Sequence, residues 1–162
     1  MAYRGRYNPK NPKKYVGDAS GIVYRSSLEL TLMKVFDEHP DIVAWSSEEV
    51  VVPYVCPTDG KRHRYFPDFV IKKKHNKPPN DSQQESHSVV MIEVKPSQQC
   101  REPKTPKRKT RRYLNEVLTW GKNQAKWNAA AEYCLRRGWE WKIMTEKDIR
   151  GGSNKSRSQG TT

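Results

Sequence analysis

The sequence predicts a mixed α/β domain, with a small mixed central sheet flanked by helices. Three observations predict it. Apolar residues recur at helical spacing over 28–39 and again over 111–137. Short apolar runs at 50–55 and 89–94 are bounded by Pro and Gly, as strands are. Long polar stretches separate these units instead of a second apolar pattern, so the chain holds one domain with extensions. One face of the sheet is expected to pack on the first helix and the other on the long one.

Residues 1–22 are polar and basic, with Gly5, Pro9, Pro12 and Gly17 as turn formers, and read as an extended basic arm. The folded domain is expected over 23–150. In the first helix, Leu28, Leu32, Val35 and Phe36 fall on one stripe, Ser26 is placed to cap the start, and Pro40 marks the end. Trp45 reads as a loop anchor. The run 50–55 is a strand, 57–60 a turn, and 61–72 a second strand closing a hairpin. Residues 73–88 have almost no apolar content and are expected to form a mobile loop. The run 89–94 reads as a buried strand stopped by Pro96, and 97–112 as a second polar loop. The long helix spans 111–137, weakened by Gly121 and ended by Gly138. A last strand occupies 139–144. Thr145-Glu146-Lys147-Asp148 has the form of a capping box opening a short helix, and 151–162 is expected to be a disordered tail.

Composition narrows the function. In 162 residues, 31 Lys and Arg face 18 Asp and Glu, a net charge of +13. Such a surface suits a polyanion, nucleic acid before acidic membrane. No apolar run is long enough to span a bilayer, and the N-terminus lacks the apolar segment of a secretory signal. Three cysteines without CxxC spacing argue against a disulfide framework and for a reducing compartment. Cys56, His63, His87 and Cys100 match no common zinc spacing.

Against this basic background three acids sit in apolar settings. Glu93 and Lys95 end the 89–94 strand two residues apart and so project from one face. They are either an ion pair, or a metal ligand beside a water-orienting cation. Asp68 lies among Tyr65, Phe66, Phe69 and Val70, where an unpaired carboxylate is costly. Pro67 before it removes a backbone donor and signals a sheet edge or bulge. Glu29 falls about 100° round the helix from Leu28, inside the apolar arc. Two readings of it stand side by side: a core-facing site residue, and the fourth member of a Ser26-x-x-Glu29 capping box. Three carboxylates and a lysine converging on one sheet edge would suit Mg²⁺ or Mn²⁺. Arg25, Lys61, Arg62, Arg64 and Lys72 surround these positions, and Lys104, Lys107, Arg108, Lys109, Arg111 and Arg112 follow the Glu93 strand. They read as phosphate contacts or as solvated surface.

At these residues the chain resembles a known family. Pro67-Asp68 followed by Glu93-Val94-Lys95 is similar to the PD-(D/E)XK nuclease signature. Tyr24-Arg25-Ser26 with Glu29, Ala44-Trp45, Pro53-Tyr54 and Arg64-Tyr65-Phe66 resemble the head completion nucleases of T4-like tailed phages, and Thr145–Asp148 also resembles TnsA-type transposon endonucleases. The resemblance implies a restriction-endonuclease-like core and Mg²⁺-dependent cleavage of DNA, leaving a 5′-phosphate and a 3′-hydroxyl. It implies that Asp68, Glu93, the Val94 carbonyl and Glu29 hold the metal, and that Lys95 orients the attacking water. It also implies phage head or portal and neck proteins as partners, and the host cytoplasm and virion as location. The alternatives are a non-catalytic DNA-binding virion protein with a nuclease fold, and a recombination or transposon-end nuclease. Oligomeric state is not legible in the sequence.

Overall fold

The computed structural model describes residues 4–75 and 86–151. Its centre is strand β7 (His87–Val94), whose apolar run is buried from Val90 to Ile92. A strand that apolar must be covered on both faces. Antiparallel β6 (Phe69–Lys74) lies on one side and parallel β8 (Glu140–Met144) on the other. Strand β3 (Ile42–Ser47) adds antiparallel to β6, giving the order β3-β6-β7-β8. Two smaller sheets are two-stranded: β1 (Gly5–Arg6) with β2 (Val23–Tyr24), and β4 (Val52–Val55) with β5 (Arg62–Tyr65).

Alternate residues of the central sheet feed two cores. Phe69, Ile71, Val90 and Ile92 face helix α1 (Ser27–Glu38), with Leu32, Met33 and Phe36. Met91 and Val70 face helix α2 (Arg111–Arg137), with Trp127, Ala130 and Cys134, and the β4–β5 hairpin closes that side with Val52, Tyr54 and Tyr65. The expected two-faced packing is therefore what the structure shows. Both helices begin and end where local chemistry dictates. The side chains of Ser26 and Thr110 accept the backbone N–H groups of Glu29 and Tyr113. Gly138 takes the left-handed conformation, φ 68°, and its N–H reaches the Cys134 and Leu135 carbonyls. The last helix, α3 (Glu146–Gly151), starts with Asp148 accepting the Thr145 N–H at 2.9 Å.

Several expectations are corrected. The stretch 61–72 is two strands, not one. They belong to different sheets and part at Phe66-Pro67-Asp68, because Pro67 has no N–H for a ladder. Strand β3 was not expected, and Trp45 within it is 1 % exposed, a core residue instead of a loop anchor. Val35, assigned to the buried stripe of α1, is exposed. Strands β6 and β7 extend into the stretch expected to be a loop, where the His75 N–H still bonds the Ser86 carbonyl. Residues 76–85 and 152–162, the rest of that loop and nearly all of the expected tail, lie outside the described residues.

Residues 4–22 are not an extended arm over their length. Tyr7, Tyr15 and Ile22 are buried in the α1-side core, and Tyr15 meets Trp45 edge-on at 4.8 Å. The anchor is Asp37, at the end of α1 and 0 % exposed. Its carboxylate accepts from the Tyr7 hydroxyl at 2.8 Å and from the Lys10 and Asn11 backbone N–H groups at 2.7 and 3.0 Å. Polar composition concealed this because three spaced aromatic or aliphatic residues and one buried acid suffice to pin the segment.

Candidate active site

The chain break between β5 and β6 places Asp68 beside the end of β7. The Val94 N–H donates to Asp68 Oδ2 at 2.8 Å. The Asp68 carbonyl accepts the Glu48 N–H at 3.1 Å, tying the break to the end of β3. Asp68 is thus fixed from two strands while Oδ1 keeps no protein partner among the described residues. Glu93 is 7 % exposed and directed toward α2 and the hairpin. Tyr65, on β5, donates its hydroxyl to Glu93 Oε2 at 2.5 Å.

These two carboxyls are short of compensating charge. Burial, with the neighbouring Glu93 next in weight, pushes Asp68 up to about 8. Glu29 and Glu48 add to that rise, and the Val94 N–H opposes it. Glu93 is also raised by burial, against the Tyr65 hydroxyl, the Lys95 ammonium, the Asp68 backbone amide and the Lys126 ammonium. Burial followed by the Glu93 carboxylate drives the Tyr65 hydroxyl far above its ordinary value. Lys95 follows β7 directly, with its N–H held by the Met144 carbonyl at 2.9 Å.

Of the residues singled out in the sequence, Asp68, Glu93, Val94 and Lys95 come together at this sheet edge. Glu29 is shared between both of its readings. Its backbone N–H bonds Ser26 Oγ at 3.1 Å, but its carboxylate accepts the N–H of Arg25, one residue before the cap, at 3.1 Å, so it forms a variant of the expected capping box. Its charge nonetheless reaches Asp68. Glu29, Asp68 and Glu93 do not all bring their oxygens within 4.8 Å of one another. Among the described residues, the three-residue group that does is Cys56, Asp59 and His63 at the β4–β5 turn. There Asp59 accepts the Lys61 N–H at 2.9 Å and pairs with His63 Nε2 at 2.7 Å, the bonding of a hairpin turn. Of the other residues weighed for zinc, His87 lies on β7 and Cys100 in a short 3₁₀ turn (Ser97–Cys100).

The basic residues divide. Arg25 pairs with Glu48 beside the site. Lys61, Arg62 and Arg64 are exposed on or beside the hairpin, on the side away from the core. Lys72 is exposed but pairs with Val89, so it lies roughly 13 Å along β6 from Asp68. Lys104, Lys107, Arg108, Lys109, Arg111 and Arg112 are exposed ahead of and at the start of α2.

Three participants escaped the sequence reading. Tyr65 donates its hydroxyl to Glu93. The Lys126 ammonium sits 5.7 Å from the Tyr65 ring centre and 5.9 Å from that of Tyr54. Glu48, after the end of β3, carries its charge toward Asp68. It is a non-glycine residue in the left-handed region, φ 54°, a strained state that tends to gather at functional sites. The only sequence signal for it is the polar run Ser46-Ser47-Glu48-Glu49 after an apolar stretch.

Two carboxyls on adjacent strand ends, with a lysine after the second, make up the cluster at this site. The sequence matches the TnsA-like endonuclease N-terminal family over residues 39–146. The chain belongs to that family. It is also similar to a head completion nuclease of Enterobacteria phage T4, at 39 % identity over 154 residues, covering 93 % of this chain and 95 % of that protein. The matched span holds Glu48, Asp68, Glu93 and Lys95, and the α/β architecture fits the restriction-endonuclease-like fold. Among the described residues no helix is long and apolar enough to cross a membrane.

Proposed function

We propose that this protein is a metal-dependent DNA endonuclease that acts on packaged DNA during completion of a phage head. The observation that carries the reading is the Asp68–Glu93 pair, half-buried and buried, both raised by burial and Asp68 further by the Glu93 charge, with Lys95 two residues beyond Glu93. A structural core would not hold two carboxyls together against that penalty. The name of the phage T4 relative supports the placement in head completion.

The donor set fits a hard divalent cation. Asp68 Oδ1, Glu93 and the Val94 carbonyl are oxygen donors, and Asp68 stays raised although Lys95 and Lys126 act on its neighbour Glu93. Mg²⁺ or Mn²⁺ held there would supply Lewis-acid polarisation of the scissile phosphate, with Glu29 acting on the site through its charge from the start of α1. The chain does the rest. Tyr65 and the Asp68 amide fix the Glu93 carboxylate. Lys95 orients the attacking water and offsets negative charge building on the phosphate. Arg25, the hairpin basic residues and those at 104–112 hold the DNA backbone. The products are a 5′-phosphate and a 3′-hydroxyl.

The test is nicking of supercoiled plasmid with Mg²⁺ by wild type, Asp68→Asn, Glu93→Gln and Lys95→Ala. Wild type should cut and lose activity in EDTA, and each variant should be inert. Full activity in all three variants would sink the assignment.

A further inference from the structure

A groove of about 990 Å³ runs between the 97–104 segment and the first half of α2, and its lining is separate from the Asp68–Glu93 pair. Its wall contains Gln98, three residues beyond Lys95, and so within about 11 Å along the chain. The opposite wall contains Asn123, one helical turn from Lys126, whose charge acts on Glu93. A strand held at the carboxyl pair can therefore continue into the groove.

The lining has the makings of a base site. Trp120 is half-buried in the wall, held at a right angle to Trp127 with ring centres 6.3 Å apart. Asn123 is 5 % exposed and forms part of the groove wall. Its side-chain amide carries both a donor and an acceptor, as does a base edge. Arg101, Lys104, Arg111 and Arg112 stand around the opening. Glu116 engages Arg112 at 3.2 Å, and Glu102 is the other acid in the lining, so positive charge is in excess. The volume is at the upper end of ligand pockets, roughly 300–1,000 Å³.

We propose that this groove takes an unpaired nucleotide of the substrate DNA, its base stacked on Trp120 and its edge read by Asn123. The inference rests on the nuclease reading and deepens it: the protein selects DNA that offers an unpaired base, at an end or a junction, over continuous duplex. The basic residues of the rim hold the phosphates flanking that base. A base of a fully paired duplex can reach Trp120 in the groove only by unstacking.

Fluorescence anisotropy in EDTA with full-length protein tests it, using a labelled blunt duplex and the same duplex with a single-stranded extension. Wild type should bind the extended duplex about tenfold more tightly, the scale of one stacked base. Trp120→Leu keeps an apolar side chain in the wall, and should bring the ratio close to one. Trp120→Phe should retain most of it. Asn123→Leu, near in volume, should level any difference between extensions of dA, dC and dT. A wild-type ratio near one overturns the proposal, as does an unchanged ratio in folded Trp120→Leu. If that variant does not fold, an unchanged ratio and base preference in Asn123→Leu overturns it, and loss of the preference supports it. Because EDTA prevents metal-dependent cutting, these outcomes are separate from the nuclease reading, which fails only if wild type cuts no DNA with Mg²⁺ or Mn²⁺.

Discussion

Asp37 and Asp68 are both aspartates held away from water, and the fold treats them in opposite ways. Asp37 is completely buried and saturated: burial pushes its carboxyl up, but the Tyr7 hydroxyl, the Lys10 and Asn11 amides and the Lys14 charge outweigh this and hold it below the ordinary value. Asp68 is half-buried yet accepts only the Val94 N–H in its carboxylate, faces Glu93, and is pushed up to about 8. Burial alone therefore does not mark a functional acid. What separates the two is partner count. A carboxylate supplied with donors is a fastener, and one left short of them is a place where a cation or a proton can go.

The largest expected effect that tests this contrast is on catalysis. Asp68→Asn should lower Mg²⁺-dependent cleavage by roughly 10³-fold or more, the loss of several kcal/mol of phosphate polarisation. The same variant should be more stable than wild type in metal-free buffer at pH 7, by on the order of 2 kcal/mol, since it removes the cost of protonating a carboxyl that the unfolded chain holds ionised. A denaturant melt that shows it less stable would erase the distinction from Asp37.

Asp37→Ala should do the reverse. It leaves the Tyr7, Lys10 and Asn11 donors unpaired and should cost about 3 kcal/mol in the same melt. Cleavage per folded molecule should be unchanged. The two acids also differ in pH dependence. Asp37 is depressed in the folded state, so its contribution is present above its unfolded value near 3.8 and is lost as pH falls below it. Asp68 is raised, so the folded protein holds that proton up to about 8 while the unfolded chain releases it near 3.8. Metal-free stability should thus decline as pH rises between those values. Added Mg²⁺ should raise the melting temperature more at pH 8 than at pH 5. An equal shift at both would place the ion away from this carboxyl pair.

Smaller effects sharpen the picture. Tyr65→Phe removes the hydroxyl that lowers Glu93, and should move the acid limb of the pH–rate profile upward by about one unit. Glu29→Gln keeps the cap geometry and removes charge, so cleavage should fall about tenfold with the melting temperature unchanged. Glu29→Ala should add a stability loss of about 1 kcal/mol.

Features with local causes were legible in the sequence. Helix α2 runs 111–137 as read, because Thr110 and Gly138 terminate it by their own backbone and side-chain chemistry. The Asp68, Glu93 and Lys95 grouping was legible because charge inside apolar strands is anomalous wherever it falls. Strand β3 was not, since Ile42–Ser47 acquires its strand character by pairing with β6 instead of by alternation. Lys126 and Tyr65 were not, since each is an ordinary residue of its own element and gains meaning only from what packs opposite. Asn123, one polar residue in a helix with many, is the same case.

By itself the sequence determined the basic surface, the helix limits, the β7 and β8 strands and the three acids set in apolar contexts, because these follow from composition, periodicity and short-range bonding. Only the tertiary structure decided which buried acid is fully bonded and which is left wanting. It also decided which cation and hydroxyl face Glu93, and that the N-terminal segment belongs to the core. Those properties depend on residues distant in the chain meeting in a medium where each missing partner is costly, and no spacing along the sequence encodes that meeting.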